Sequence, residues 1–168
     1  MHFYHSKSKR QCYGPCLDLP SPISARKWDY IESGGLAIVG LHFTNFTKRD
    51  HFDEFFKAFG LPWRQGDYHR TTFRFVRTST VPTGLKRSSL PGPYNMKVLH
   101  VKHARADEKM FVPIPGAMTE SFVPPPGLMW IRHKLQCGAR IGQGALIYCG
   151  DVNAEDGPTA MTLALIGC

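Results

Sequence analysis

Phe52, Phe55, Phe56 and Phe59 fall at i, i+3, i+4 and i+7, so a helix through them carries four rings on one face. Asp53, Glu54 and Lys57 occupy the other side. Thr47, with Asp50 three residues on, predicts a capped helix start, and Gly60 followed by Pro62 predicts its end. Such a face must be buried against an apolar layer, and the flanking sequence offers one. Leu36 to Phe43 reads as a strand before the helix, and Thr71 to Thr80 reads as a strand after it. In the latter, Phe73 and Phe75 face one way while Arg74 faces the other. Leu41 to Thr80 is the unit around which the chain is organised.

The rest of the sequence alternates short apolar runs with turn-rich stretches. Lys27 to Ile31 predicts a short strand before the Gly34–Gly35 turn. Leu61-Pro62-Trp63 packs the helix exit onto the core, and 64–70 reads as a polar loop. Met96 to Ala104, Lys109 to Ile114, Leu128 to Gln136, Ala145 to Tyr148 and Ala160 to Ile166 predict further strands, with Cys137 to Gly144 a Gly-rich turn. Residues 81–93 and 115–127 are long, Pro-rich loops. The resulting expectation is an all-β chain: an eight-stranded jelly-roll sandwich with one short helix after the second strand.

Composition supports one folded unit. The 168 residues are 42% hydrophobic and 12% aromatic, which excludes global disorder. Residues 1–27 read as a basic, Pro-containing arm and 28–168 as a single β-sandwich domain. No apolar run reaches membrane-spanning length, and the N-terminus has no signal-peptide core. The five cysteines, at 12, 16, 137, 149 and 168, are odd in number and lack CxxC spacing. Neither a disulfide framework nor a zinc site is expected.

The formal charge of +8 points to a polyanionic partner. Lys7, Lys9 and Arg10 in the arm, with Arg74 and Arg77 from the strand, are the candidate nucleic-acid-binding residues. Phe52, Phe55, Phe56, Phe59 and Trp63 are the candidate structural core. No Ser-His-Asp order, P-loop or dinucleotide fingerprint occurs, so no enzyme, catalytic residue, cofactor or metal is expected.

The runs Phe52-Asp-Glu-Phe-Phe-Lys-Ala-Phe59 and Thr71-Thr-Phe-Arg-Phe-Val-Arg77, with Gly144-Ala-Leu-Ile-Tyr148 and Thr159-Ala-Met-Thr-Leu-Ala-Leu165, resemble the pattern of single-jelly-roll capsid proteins of small viruses. The resemblance implies a structural, self-assembling coat protein: a homo-oligomeric shell whose basic surface contacts nucleic acid, found in the virion or intracellularly. The chain departs from that pattern in lacking a dense arginine arm. Two other likenesses compete. Phe52 to Trp63 is similar to the helical lid of intracellular fatty-acid-binding proteins, a β-barrel reading with a lipid ligand. His100, His103 and Glu108, with Gly116 and His133, loosely resemble a cupin metal site, although i and i+3 on a regular strand point to opposite faces. A basic accessory subunit of an organellar complex is the remaining alternative.

Overall fold

The computed structural model describes residues 2–4, 11–12, 28–40, 43–79, 82, 85–118 and 136–167. The chain is largely β. Strands β1 (His2–Tyr4), β2 (Gln11–Cys12), β3 (Leu36–Val39), β4 (Arg64–Phe75), β5 (Tyr94–Lys102), β6 (Lys109–Pro113), β7 (Gln136–Ile141) and β8 (Gly144–Cys149) form one sheet, ordered β2-β1-β3-β8-β7-β6-β4-β5. Every neighbouring pair is antiparallel except β3 and β8, which run parallel with Leu36 opposite Ala145 and Val39 opposite Tyr148. The sheet curls until the edge strand β5 meets the chain leaving β8. There Val98 bridges Asp151, Leu99 N–H donates to Gly150 O at 2.9 Å, and Val152 N–H donates to Lys97 O at 3.3 Å.

Strands β3, β5 and β8 are buried on both faces, because they carry apolar residues at consecutive rather than alternate positions. Ala37, Val39, Leu99, Val101, Leu146 and Tyr148 belong to one core cluster, and Ile38, Met96, Val98, Ile147 and Cys149 to the other. The first cluster is covered by α1 (28–32) and α3 (Arg49–Lys57), with α2 (Phe43–Phe46) adding Phe43. Phe52, Phe55, Phe56 and Phe59 are all buried there beside Trp63. Phe56 stands 4.8 Å from Phe52, 5.1 Å from Trp63 and 5.5 Å from Tyr148, centroid to centroid. Gln65 N–H donates to Asp53 Oδ1 at 2.8 Å and fixes the helix to the start of β4. The second cluster is covered by α4 (Asp156–Ile166) through Met161 and Leu165.

This arrangement corrects the jelly-roll expectation. The described strands make one mixed sheet with a parallel pair, not two packed antiparallel sheets. Among the described residues, helices pack on its faces. Residues 160–166 lie in α4: Pro158 sits in the first turn, where its missing N–H costs nothing, and Gly167 closes the helix at φ 79°. Residues 28–32 are helical, with Ser33 Oγ donating back to Asp29 O at 2.6 Å. The polar stretch 64–70 is the first half of β4. Residues 136–141 are β7, and only Gly142 and Gln143 turn the chain into β8, with Gly142 at φ 56° as such a tight hairpin requires.

The Phe-rich helix also starts differently from the reading above. Lys48 is its N-cap and makes no side-chain cap bond, while Thr47 Oγ donates to Phe43 O at 2.6 Å and closes α2 instead. Strand β3 ends at Val39 rather than running on to Phe43. Within the segment expected to be an arm, His2–Tyr4 pairs with Leu36–Ile38 and Gln11–Cys12 pairs with β1, so these five residues extend the sheet edge. Among the described residues no helix is long and apolar enough to cross a membrane.

Candidate nucleic-acid interface

The end of β4 forms one side of an arginine-lined groove. Phe73 and Phe75 point into the α4-side core, where Phe75 meets the Phe111 ring at 5.5 Å. Strand β4 ends at Phe75. Val76 N–H still donates to Met110 O at 2.7 Å, but Ser79 Oγ then folds back onto Val76 O at 2.7 Å. The Pro-rich connection returns along this turn and carries one turn of 3-10 helix, Arg87–Ser89. Phe75, Arg77, Arg87, Ser88, Leu90 and Pro91 line the resulting groove, whose volume is ≈ 470 Å³.

Arg87 builds the groove as well as charging it. Its guanidinium lies 5.8 Å from the Phe75 ring centroid, within the range where a cation is attracted to an aromatic face. The same group donates to Arg77 O and, at 3.3 Å, to Ser79 O. A planar fork reaches the two carbonyls from two separate nitrogens, a spread that the single nitrogen of an ammonium lacks. Arg77 itself is exposed. Two arginines, a serine, an aromatic residue and the apolar Leu90–Pro91 wall therefore line one groove, and no carboxylate is among these lining residues.

The opposite face of β4 is polar and partly cationic. Tyr68, Arg70, Thr72 and Arg74 alternate onto it, beside Lys97 and Asn95 of β5. Lys97 Nζ lies 4.9 Å from the centroid of the half-exposed Tyr68 ring. Arg70 is held by Glu155 at 2.7 Å and by Asn95 Oδ1 at 2.8 Å, so its charge is matched. Burial would raise the Glu155 carboxyl, but hydrogen bonds from Arg70, Lys97 N–H and Asn153 outweigh it and hold the group below its ordinary value. Asp151 moves the other way: burial raises it, although Asn153 and Glu155 N–H groups donate to it at 3.1 and 2.9 Å.

The structure brings only part of the expected set together. Arg77 lines the groove, whereas Arg74 stands exposed on the other face of β4. Lys7, Lys9 and Arg10 lie outside the described residues, as do Cys16, residues 119–135 with His133, and the side chain of Cys12. The described residues of the cupin-like pattern do not form a ligand cluster. His100 is buried and stacked 3.9 Å from His69, while His103 is exposed at φ 64°. Glu108 accepts from Trp63 Nε1 at 2.9 Å and Arg105 N at 2.7 Å, with Arg105 Nε 3.0 Å from its second oxygen. Among the described residues no group of three or more His, Cys, Asp or Glu is placed to hold a metal ion. Cys149 is buried, its thiol pushed up to about 11 by desolvation, which suits packing rather than nucleophilic work.

Phe75, Arg87, Ser88, Leu90 and Pro91 were not legible as partners of Arg77. Nothing in spacing announces that a residue ten positions later returns to the same turn. The available signal was the basic pair Lys86–Arg87 inside a Pro-rich loop that starts where an aromatic, arginine-bearing strand ends.

Neither a known protein family nor a curated protein sequence matches this chain. Among solved structures, a β-galactosidase from Bacillus circulans sp. alkalophilus is similar at TM-score 0.47 and 11% identity. A cold-adapted β-galactosidase from Rahnella sp. R3 is similar at TM-score 0.47 and 13% identity. Each likeness covers 86% of this chain but only 20% of the enzyme's chain. Likenesses this distant carry neither a fold assignment nor an activity.

Proposed function

We propose that this protein binds single-stranded nucleic acid, with the groove at the end of β4 as its contact site. The observation that carries the reading is a groove of ≈ 470 Å³ lined by Arg77 and Arg87, with the Arg87 guanidinium against the Phe75 ring and no carboxylate among its lining residues. Guanidinium groups take phosphate oxygens through paired, charge-assisted hydrogen bonds. Ser88 adds a neutral donor, and the Leu90–Pro91 wall beside Phe75 offers an apolar surface for a base. This combination of cation and ring tolerates any sequence, because every base has a π-face and every nucleotide a phosphate. The +8 formal charge raises the local concentration of such a ligand around the whole molecule.

Self-assembly into a coat, the other half of the expectation drawn from sequence, rests on the sequence resemblance alone. Closed particles in electron micrographs of the purified protein would support it, and a monodisperse monomer would remove it. The binding reading is tested by titrating labelled dT oligonucleotides and mixed-sequence single strands at several salt concentrations. A linear fall of log affinity with log salt and little sequence preference are expected. No binding at low salt would overturn the reading and leave the charge without a nucleic-acid role.

A further inference from the structure

One side of the groove is formed by a segment with the features of a modifiable site. Lys86-Arg87-Ser88-Ser89-Leu90 places two cations before a serine and an apolar residue after it. Lys86 to Ser89 are all exposed. Kinases with acidic substrate clefts select such a pattern by charge complementarity. The backbone there is also easily opened. The single 3-10 turn is closed by Ser89 N–H to Lys86 O at 3.0 Å and Leu90 N–H to Arg87 O at 3.3 Å, and both flanking residues, Lys86 and Leu90, are already extended. Ser89 Oγ donates only to Lys86 O, at 2.7 Å, a bond that opening this one turn would release.

We propose that Ser89 is a phosphorylation site for a protein kinase that reads basic residues, and that its phosphate closes the groove to polyanions. The second half rests on the nucleic-acid reading of the groove; the first does not. In the transfer, an Oγ–P bond forms at Ser89 and the bond between the γ-phosphorus of ATP and its bridging oxygen breaks. ADP departs with that electron pair, and the hydroxyl proton passes to the kinase's base. The product carries about two negative charges near neutral pH and three strong acceptor oxygens. Arg87 lies two residues away, and its guanidinium is held by the neutral carbonyls of Arg77 and Ser79. A phosphate dianion is the stronger acceptor, so it draws Arg87 off the Phe75 ring and sets a negative charge beside Arg77. One event thus removes a wall of the groove and cancels its charge.

The test uses the full chain, Mg-ATP and the catalytic subunit of a cyclic-AMP-dependent protein kinase. Tandem mass spectrometry should find one phosphoryl group within 85–91, on Ser89; Ser89→Ala should take none there and Ser88→Ala should still take one. Phosphate on Ser88 instead, or none in this segment, overturns the assignment. Phosphorus NMR of the modified protein should place the second phosphate ionisation below the usual value of about 6, because Arg87 favours the dianion. Affinity for a dT oligonucleotide should fall about 10- to 100-fold, the scale of one or two lost charged hydrogen bonds. Phosphorylated Ser89 with unchanged affinity overturns the closure while leaving binding intact. If the unmodified chain binds no oligonucleotide, the groove reading falls, and Ser89 is still judged by mass and by its ionisation.

Discussion

Replacing Arg77 with Gln separates a specific groove from general surface charge. Arg77 lines the groove, is exposed, and lends only its backbone carbonyl to Arg87. Its side chain can therefore be changed without dismantling the turn. If it meets one phosphate of a single strand, its loss should lower the magnitude of the log–log salt slope by about 0.7. Between about 50 and 200 mM salt that difference amounts to roughly a 2.5-fold smaller drop in affinity for the variant. Arg74→Gln removes the same charge from the opposite face of β4 and should change the slope by less than half as much. Arg87→Lys keeps the charge but loses the fork that reaches Arg77 O and Ser79 O. That variant should keep the slope and lose about 1–2 kcal/mol of stability, a Tm drop of about 2–4 °C per kcal/mol. Fluorescence anisotropy at four or five salt concentrations, paired with thermal melts, reads all three. Equal slope changes for Arg77→Gln and Arg74→Gln would refute the groove and leave only diffuse electrostatics.

Two further perturbations test the frame that positions the site. Phe56→Ala should cost about 3–5 kcal/mol, since the ring is fully buried among Phe52, Phe55, Trp63 and Tyr148, and chemical denaturation should show it as a lowered midpoint. Glu155→Gln should cost about 1–2 kcal/mol at neutral pH, because Arg70 loses a partly exposed, two-pronged ion pair while its contact to Asn95 Oδ1 remains. The carboxyl is depressed in the folded state, so its stabilisation is present above its unfolded value and is lost as pH falls through the folded one. Stability curves of the two proteins should thus converge in acid. Asp151, raised chiefly by burial and also by the Glu155 charge, contributes with the opposite sign and less so in the variant, so an Asp151→Asn background is needed to isolate the Glu155 contribution.

The sequence showed which residues would be buried more clearly than it showed the direction in which the chain would run. The four-ring helix face was legible because helical spacing and burial coincide at Phe52, Phe55, Phe56 and Phe59. Residues 160–166 were not, because α4 is apolar on nearly every side and so lacks the 3.6-residue alternation that separates a helix from a buried strand. The polar run 64–70 hid half of β4 for a related reason. Next to an edge strand, Arg64, Asp67 and Tyr68 stay exposed, so no apolar run marks the strand. Gly138 had the reverse effect, reading as a turn although it lies inside β7. A Cβ there would stand 2.7 Å from Ile147 and 2.8 Å from Met110, so the glycine answers to packing between strands and not to a bend.

The same distinction governs the site. Charge is additive, so the surplus of basic residues and the prospect of a polyanionic partner follow from counting. A binding site is not additive: it needs two arginines brought to one groove, and here that depends on where a twelve-residue strand stops. Strand β4 runs on to Phe75, two residues past the end of its pairing with β5 at Phe73 opposite Tyr94, and the chain then turns back. A turn in that position has carbonyls at Arg77 and Ser79 that no strand can satisfy. Arg87 satisfies them, which anchors the Pro-rich loop and leaves its cation beside Phe75. The groove is thus a consequence of solving a backbone hydrogen-bonding problem with an arginine. Lysine or glutamine at 87 would not solve it in the same way. That dependence is why Arg87→Lys, a change neutral in charge, is expected to loosen the turn while leaving the electrostatics of binding in place.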